Sequence, residues 1–94
     1  MDNTAESVAM ISEQMRDILE SMGATVQRFE LDYKEIPNAF GGNPQGLTTF
    51  NATINHIPYK TARLIWQRHA ETEEDYINSI RAYMFNVLDG VANL

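Results

Sequence analysis

Few side chains in this sequence are of a type and spacing that could do chemistry. The two histidines, His56 and His69, are thirteen residues apart, and neither has an acidic neighbour at a metal-ligand spacing. The chain has no cysteine, which excludes disulfides, thiolate zinc sites, iron–sulfur clusters and cysteine nucleophiles. We therefore expect no metal site and no cofactor.

The carboxylates of Glu73, Glu74 and Asp75 could in principle form an acid–base cluster. They follow Thr72 in "TEED", however, which is a capping-box pattern with acids in the first turn of a helix. No serine lies in the G-x-S-x-G pattern of a nucleophile elbow. The sequence therefore predicts no catalytic residues, and an enzyme without a readable motif is only a third hypothesis.

The stretch "EIPNAFGGNPQG", Glu35–Gly46, is rich in glycine, proline and asparagine. It is not a phosphate-binding Walker loop, because Leu47 follows Gly46 where the motif needs the lysine that reaches phosphate. The pattern predicts a long loop that is either a connector or a recognition loop. Phe40 either packs back on the core or is offered to a partner.

Length and composition are those of one small globular domain, residues 1–94, with 44% hydrophobic residues. No apolar run approaches the roughly 18 residues that cross a bilayer. The first ten residues, "MDNTAESVAM", have no basic segment of the kind that begins a signal peptide. We expect a soluble, cytoplasmic protein with no membrane partner.

Two amphipathic helices flank a region of strand-like alternation. Residues 4–22 place an apolar stripe on one helical face, and a second stripe follows "TEED" towards the C-terminus. The members of the first stripe are Val8, Ile11, Met15, Ile18 and Met22; those of the second are Ile77, Ile80, Met84, Val87, Leu88 and Val91.

Between the helices, apolar and polar residues alternate, as in half-buried strands. Val26 is out of phase with Phe29, which predicts a bulge near Gln27. Residues 60–70 fit a strand with Leu64 and Trp66 facing inward, but a helix also fits them. We favour the strand because few residues separate the turn at Pro58 from the next helix. The apolar strand residues are Phe29, Leu31, Phe50, Ile54, Leu64 and Trp66.

The predicted fold is α+β with the order α-β-β-β-α. The two helix stripes need an apolar surface to cover, so both helices should pack on one face of a three-stranded antiparallel sheet and leave the other face wet. The order resembles that of the double-stranded-RNA-binding domain. That family begins its last helix with a basic run, whereas this chain has "TEED" there, so the resemblance does not extend to its activity.

The net charge of −6 is unevenly distributed. Residues 1–22 and residues 70–94 each have five acidic and one basic residue, whereas residues 23–69 have three acidic and five basic ones.

Acidic helix surfaces suit a basic partner surface. The leading hypothesis is an interaction protein, such as an inhibitor or adaptor, including a nucleic-acid mimic of viral or mobile-element type. The predicted partner-binding residues are Glu13, Asp17, Glu20, Phe40, Glu73, Glu74 and Asp75. Self-association is compatible with the two edges of the sheet.

The alternative hypothesis is nucleic-acid binding through the wet face of the sheet. Arginine and asparagine side chains read base edges well, and strands can enter a major groove. The residues that would do so are Arg28, Asn51, Thr53, Asn55 and Arg63. The net negative charge of the chain opposes this hypothesis, because phosphate neutralisation supplies most of the affinity for nucleic acid.

Overall fold

A computed structural model of the chain describes residues 3–38, 41–42 and 44–93. These residues form two helices and three strands in the expected order. The elements are α1 Thr4–Ser21, β1 Val26–Ile36, β2 Gln45–Ile54, β3 Ile57–Trp66 and α2 Glu73–Ala92. The prediction of an α+β fold is confirmed, and residues 57–66 are a strand.

The strands form one antiparallel sheet in the order β1-β2-β3, with both helices on the same face. Phe50, on the central strand, is fully buried under the helices, with its ring edge-on to those of Phe29 at 5.4 Å and Tyr83 at 5.8 Å. Strand residues on this face alternate with exposed or half-buried residues on the other. One face of the sheet is thus buried under the helices by the hydrophobic effect, and the other face is open to solvent.

Two bulges interrupt the pairing. The first lies between Val26 and Arg28, where the loss of phase in the sequence predicts it. The second was not predicted: Phe50 pairs with Ala62 and Ala52 with Tyr59, so that two residues of β3 face one of β2. This extra residue brings both Tyr59 and Ala62 to the helix side, where they pack against the core.

The buried side of α1 differs from the predicted stripe. Val8, Ile11 and Met15 are buried, but the fourth apolar core residue is Leu19, which is fully buried, whereas Ile18 is 38% and Met22 43% exposed. Residues three and four positions after Met15 are both its neighbours on a helix, so periodicity alone could not choose between Ile18 and Leu19. Packing against the sheet selects Leu19, and Met22 lies beyond the last residue of α1.

The two helices run in the same direction. Met22 and Gly23, after α1, share a cavity with Val91 and Ala92 at the end of α2, and residues from the middle of α1 meet the middle of α2. α1 ends just before β1 begins, where Val26 pairs with Ile54, and α2 starts beyond the far end of β3 and returns, so both helices end beside the β2–β3 turn.

The glycine-rich connection is shorter than predicted. Strand pairing continues to Ile36 and resumes at Gln45, so the connection is residues 37–44, and Glu35 and Gly46 are strand residues. A Cβ atom on Gly46 would lie 2.9 Å from the Tyr33 hydroxyl oxygen and 3.2 Å from the Trp66 Cβ. Gly46 is therefore required by the close approach of neighbouring side chains on the sheet, and not by a loop conformation.

Candidate interaction surface

The outward side of α1 presents the first predicted acidic cluster. Glu13, Asp17 and Glu20 are all exposed, on the side of the helix that faces away from Met15 and Leu19. They follow one another at steps of four and three residues, so their carboxylates line one side of the helix. The structure therefore brings these three predicted residues together on one surface.

The second acidic cluster lies elsewhere and has a structural role. The Thr72 side chain accepts a hydrogen bond from the Asp75 backbone N–H at 3.1 Å, and the Thr72 N–H donates to the Asp75 carboxylate at 3.3 Å. This reciprocal capping box begins α2, at the opposite end of the helix pair from Glu20. Glu73 is half-buried and Glu74 is exposed. The two acidic clusters do not form one continuous patch.

The ends of the two helices add to the negative potential of one end of the molecule. A helix C-terminus carries a partial negative charge, and here two such ends lie side by side. Within the described residues, the last turn of neither helix contains a basic side chain. Glu20 and Asp89 are both exposed near these ends. The side-chain charges and the partial charges of the helix ends therefore have the same, negative sign here.

An apolar furrow runs between the outward sides of the two helices. Its sides are formed by Ile18 of α1 and Phe85 of α2, which are 38% and 57% exposed. Below them a cavity of about 90 Å³ reaches the buried side chains of Ile11 and Met15. Gln14 and Arg81 also line it. Large exposed apolar side chains that lie together mark interaction surfaces more often than isolated ones do.

Phe85 is not among the predicted partner-binding residues, although the sequence contains a pattern that indicates its exposure. Phe85 follows Met84, which is fully buried, and lies outside the apolar stripe of α2. An aromatic residue outside the buried stripe of an amphipathic helix is exposed unless another element covers it. The proximity of Ile18 could not be read from the sequence, because it depends on the parallel packing of the helices.

The open face of the sheet carries most of the predicted nucleic-acid-binding residues. Arg28 pairs across the strands with Thr53, Asn51 with Glu30, and Arg63 with Thr49. Glu30 also forms an ion pair with Arg28, at 3.7 Å between Nε and Oε1. A negative charge within this row opposes the approach of a phosphate backbone.

Asn55 does not belong to that face, which corrects the prediction. It lies in the β2–β3 turn with a φ of 53°, followed by His56 with a φ of 65°. Its Oδ1 accepts a hydrogen bond from the Thr25 backbone N–H at 2.8 Å. The alternation of the strand ends at Ile54, because a two-residue turn with positive φ values follows.

A cluster of aromatic and polar side chains joins the end of β3 to the start of α2. The Trp66 ring stacks on that of Tyr76, with centroids 5.4 Å apart and an 8° angle, and the Arg68 guanidinium lies 4.2 Å from the Trp66 centroid. Arg68 donates to the Glu35 carboxylate at 2.8 Å and to the Tyr33 hydroxyl at 3.2 Å. The cluster thereby connects the two edge strands of the sheet beyond Gly46.

Tyr76 is the buried titratable group of this cluster. Its single O–H donates to the carbonyl oxygen of Leu64, and its oxygen accepts from the Thr48 hydroxyl, whose Oγ1 lies 2.8 Å away. Burial raises the pKa of Tyr76 above its ordinary value, against the opposing effect of the Thr48 hydrogen bond. The neutral phenol is therefore the form that the folded state holds, as a structural donor.

Phe40, the remaining predicted partner-binding residue, lies outside the described residues, so the choice between a connector and a recognition loop stays open. Among the described residues, no group of three or more His, Asp or Glu side chains is arranged to hold a metal ion. Neither of the helices described has the length and apolar character needed to span a bilayer.

No protein-family model matches the chain, and no curated protein or solved structure is significantly similar to it.

Proposed function

We propose that this protein is an acidic interaction module that binds a basic surface of a partner protein through the outward side of its helices. The observation that carries the proposal is the exposed row of Glu13, Asp17 and Glu20, which ends beside the two helix C-termini. The side-chain charges and the partial charges of the helix C-termini are both negative there, so they act together on an approaching cation.

The class of function that follows is an inhibitor or an adaptor. An inhibitor of a nucleic-acid-binding protein is one version, in which the row of carboxylates occupies a surface that otherwise binds phosphates. That version predicts that nucleic acid and this protein compete for the partner. An adaptor would leave the partner's nucleic-acid binding unchanged.

The test is the rate of association with a partner captured from the native cell, measured at two ionic strengths. We expect Glu13→Gln with Asp17→Asn to slow association, and to slow it more at low salt, where the steering field is unscreened. The matched control is Glu30→Gln with Asp32→Asn, which removes the same charge from the open face of the sheet. Equal rates for the two variants would refute the proposal.

The start of α2 can be tested separately. Glu73→Gln with Glu74→Gln removes two charges and keeps the capping pair of Thr72 and Asp75. A slower association for this variant alone would move the contact surface to the opposite end of the helices. A titration with nucleic acid at low salt tests the alternative function, since binding that Arg28 and Arg63 control would place the site on the sheet.

A further inference from the structure

We propose that the furrow between α1 and α2 receives an amphipathic helix of the partner, with basic residues on both sides of its apolar stripe. This inference rests on the proposed function and names the element that the module recognises. A row of acids alone would bind any cation; the furrow adds a shape and an apolar contact beside that row.

The shape of the furrow favours a helix. Two parallel helices present a groove between their side-chain ridges, and a third helix fits such a groove at the usual interaxial distance of about 8–10 Å. On α1, the cavity in the furrow is lined from Ile11 to Ile18, which is about 10 Å of helix at 1.5 Å per residue. That length matches about two turns of a bound helix, with anchors three or four residues apart.

The contact residues allow an apolar anchor to enter. Ile18 and Phe85 form the sides, and the cavity of about 90 Å³ between them ends on the buried side chains of Ile11 and Met15. Met22, which is 43% exposed, extends the apolar surface towards the helix ends. Methionine adapts to the shape of a partner, because its side chain is unbranched and polarisable.

Charge flanks the furrow on both sides and defines the partner's polarity. Asp17 adjoins Ile18 on the outward side of α1, and Asp89 lies one turn after Phe85; both are exposed. Arg81, one turn before Phe85, is the basic residue at the other end of the furrow. A helix that runs antiparallel to α1 and α2 would place its positive N-terminal end beside Glu20 and Asp89. We infer that orientation for the bound helix.

The test uses a synthetic peptide of about 18 residues, long enough for five turns. It has leucines on one helical stripe and lysines on both sides of it. One comparison peptide has the same residues in scrambled order, and another has glutamate in place of lysine. Binding to the intact chain is followed by the fluorescence anisotropy of labelled peptide.

We expect the basic amphipathic peptide to bind and Phe85→Ala to weaken it roughly tenfold, as for a truncated anchor. The matched control is Ile65→Ala, because Ile65 is 53% exposed but belongs to β3. This control should leave the affinity unchanged. A spin label on the N-terminus of the peptide should broaden the amide signals of Met22 and Ala92 more than those of Glu6.

Each contrary result separates the inference from the proposed function. Equal binding of the scrambled peptide, with no effect of Phe85→Ala, would overturn the furrow and leave a purely electrostatic basic-partner module. Equal binding of the glutamate peptide would overturn the basic partner as well. No binding of the basic amphipathic peptide at roughly millimolar concentration, or a dimer of this chain that Phe85→Ala dissociates, would overturn the inference.

Discussion

At the scale of single residues, the contacts of Trp66 and Tyr76 hold the start of α2 against the end of β3. Trp66 is 9% exposed and contacts Tyr76 and Arg68 through its ring, and its indole N–H donates to the Glu71 carbonyl oxygen at 3.1 Å. One aromatic side chain thus contributes packing, a cation–π contact and a hydrogen bond. The sequence predicts its burial, but not its partners.

Trp66→Ala should lower the free energy of unfolding by about 3–5 kcal/mol, the usual range for truncation of a buried aromatic residue. The neighbouring Ile65→Ala, at a residue that is 53% exposed, should change it by less than about 1 kcal/mol. Urea unfolding measures both changes. A small effect of Trp66→Ala would mean that the tryptophan is exposed in solution.

Tyr76 should give the protein a pH dependence on the alkaline side. Because burial raises the pKa of Tyr76 in the folded state, the unfolded chain loses this proton first as the pH rises. The folded state then binds more protons than the unfolded state, and stability falls above about pH 10, the ordinary tyrosine pKa. Below that pH, the full contribution of Tyr76 to the free energy of unfolding is present.

The measurement is urea unfolding between about pH 8 and about pH 11. Tyr76→Phe should be less stable at neutral pH, because it loses the hydrogen bonds to Thr48 and Leu64. The stability of this variant should also fall less steeply with rising pH. All other titratable groups are the same in both proteins, so the difference between the two curves is due to Tyr76. Parallel curves for the two proteins would contradict the raised pKa.

At the scale of the elements, the β2–β3 turn and the second bulge set the register of the sheet. Asn55 and His56 both have positive φ values, as in the type I′ turns that join antiparallel strands. Asparagine tolerates this conformation, and here it also bonds to Thr25. Histidine at the second position also adopts a positive φ, but less readily than glycine, which has no Cβ.

His56→Gly should therefore stabilise the protein by up to about 1 kcal/mol, because glycine adopts the left-handed conformation without a Cβ clash. The His56 backbone N–H would keep its bond to the Gln27 side chain, which is 3.1 Å long. Asn55→Gly is the matched control: it relieves little strain and removes the bond to Thr25, so it should destabilise. Thermal melts that show the reverse order would contradict this account of the turn.

At the scale of the whole molecule, the parallel direction of the helices concentrates negative charge at one end. Glu20 and Asp89 lie near two adjacent helix C-termini, where an acidic side chain opposes the dipole. Such an arrangement does not favour stability. Under the proposed function, these charges would favour binding of the partner and not stability.

Glu20→Lys with Asp89→Lys should raise the free energy of unfolding by about 0.3–1 kcal/mol per position at low ionic strength, the usual size of a helix-dipole effect. The same variant should slow association with a basic partner. Unfolding and association measured on one preparation test both parts. Glu6→Lys with Glu74→Lys, in the first turns, is the matched control and should destabilise instead.

The sequence by itself determined the type and order of the elements. Periods of 3.6 and 2 in Ile77–Val91 and in Phe29–Tyr33 report which faces are buried, and the capping box at Thr72 marks a helix start, because these are local properties of the backbone. The bulge beside Val26 is also local, so the break in phase predicts it. The acidic row at Glu13 follows from spacing alone.

The tertiary structure decided what depends on contacts between distant residues. Whether Ile18 or Leu19 faces the sheet, and whether Phe85 meets Ile18, depends on the packing of α1 against α2. The extension of β1 to Ile36 and β2 from Gln45 depends on pairing across a connection whose composition indicates a loop. Local patterns carry no information on these partners, because burial and hydrogen bonding between elements are set by the assembled fold.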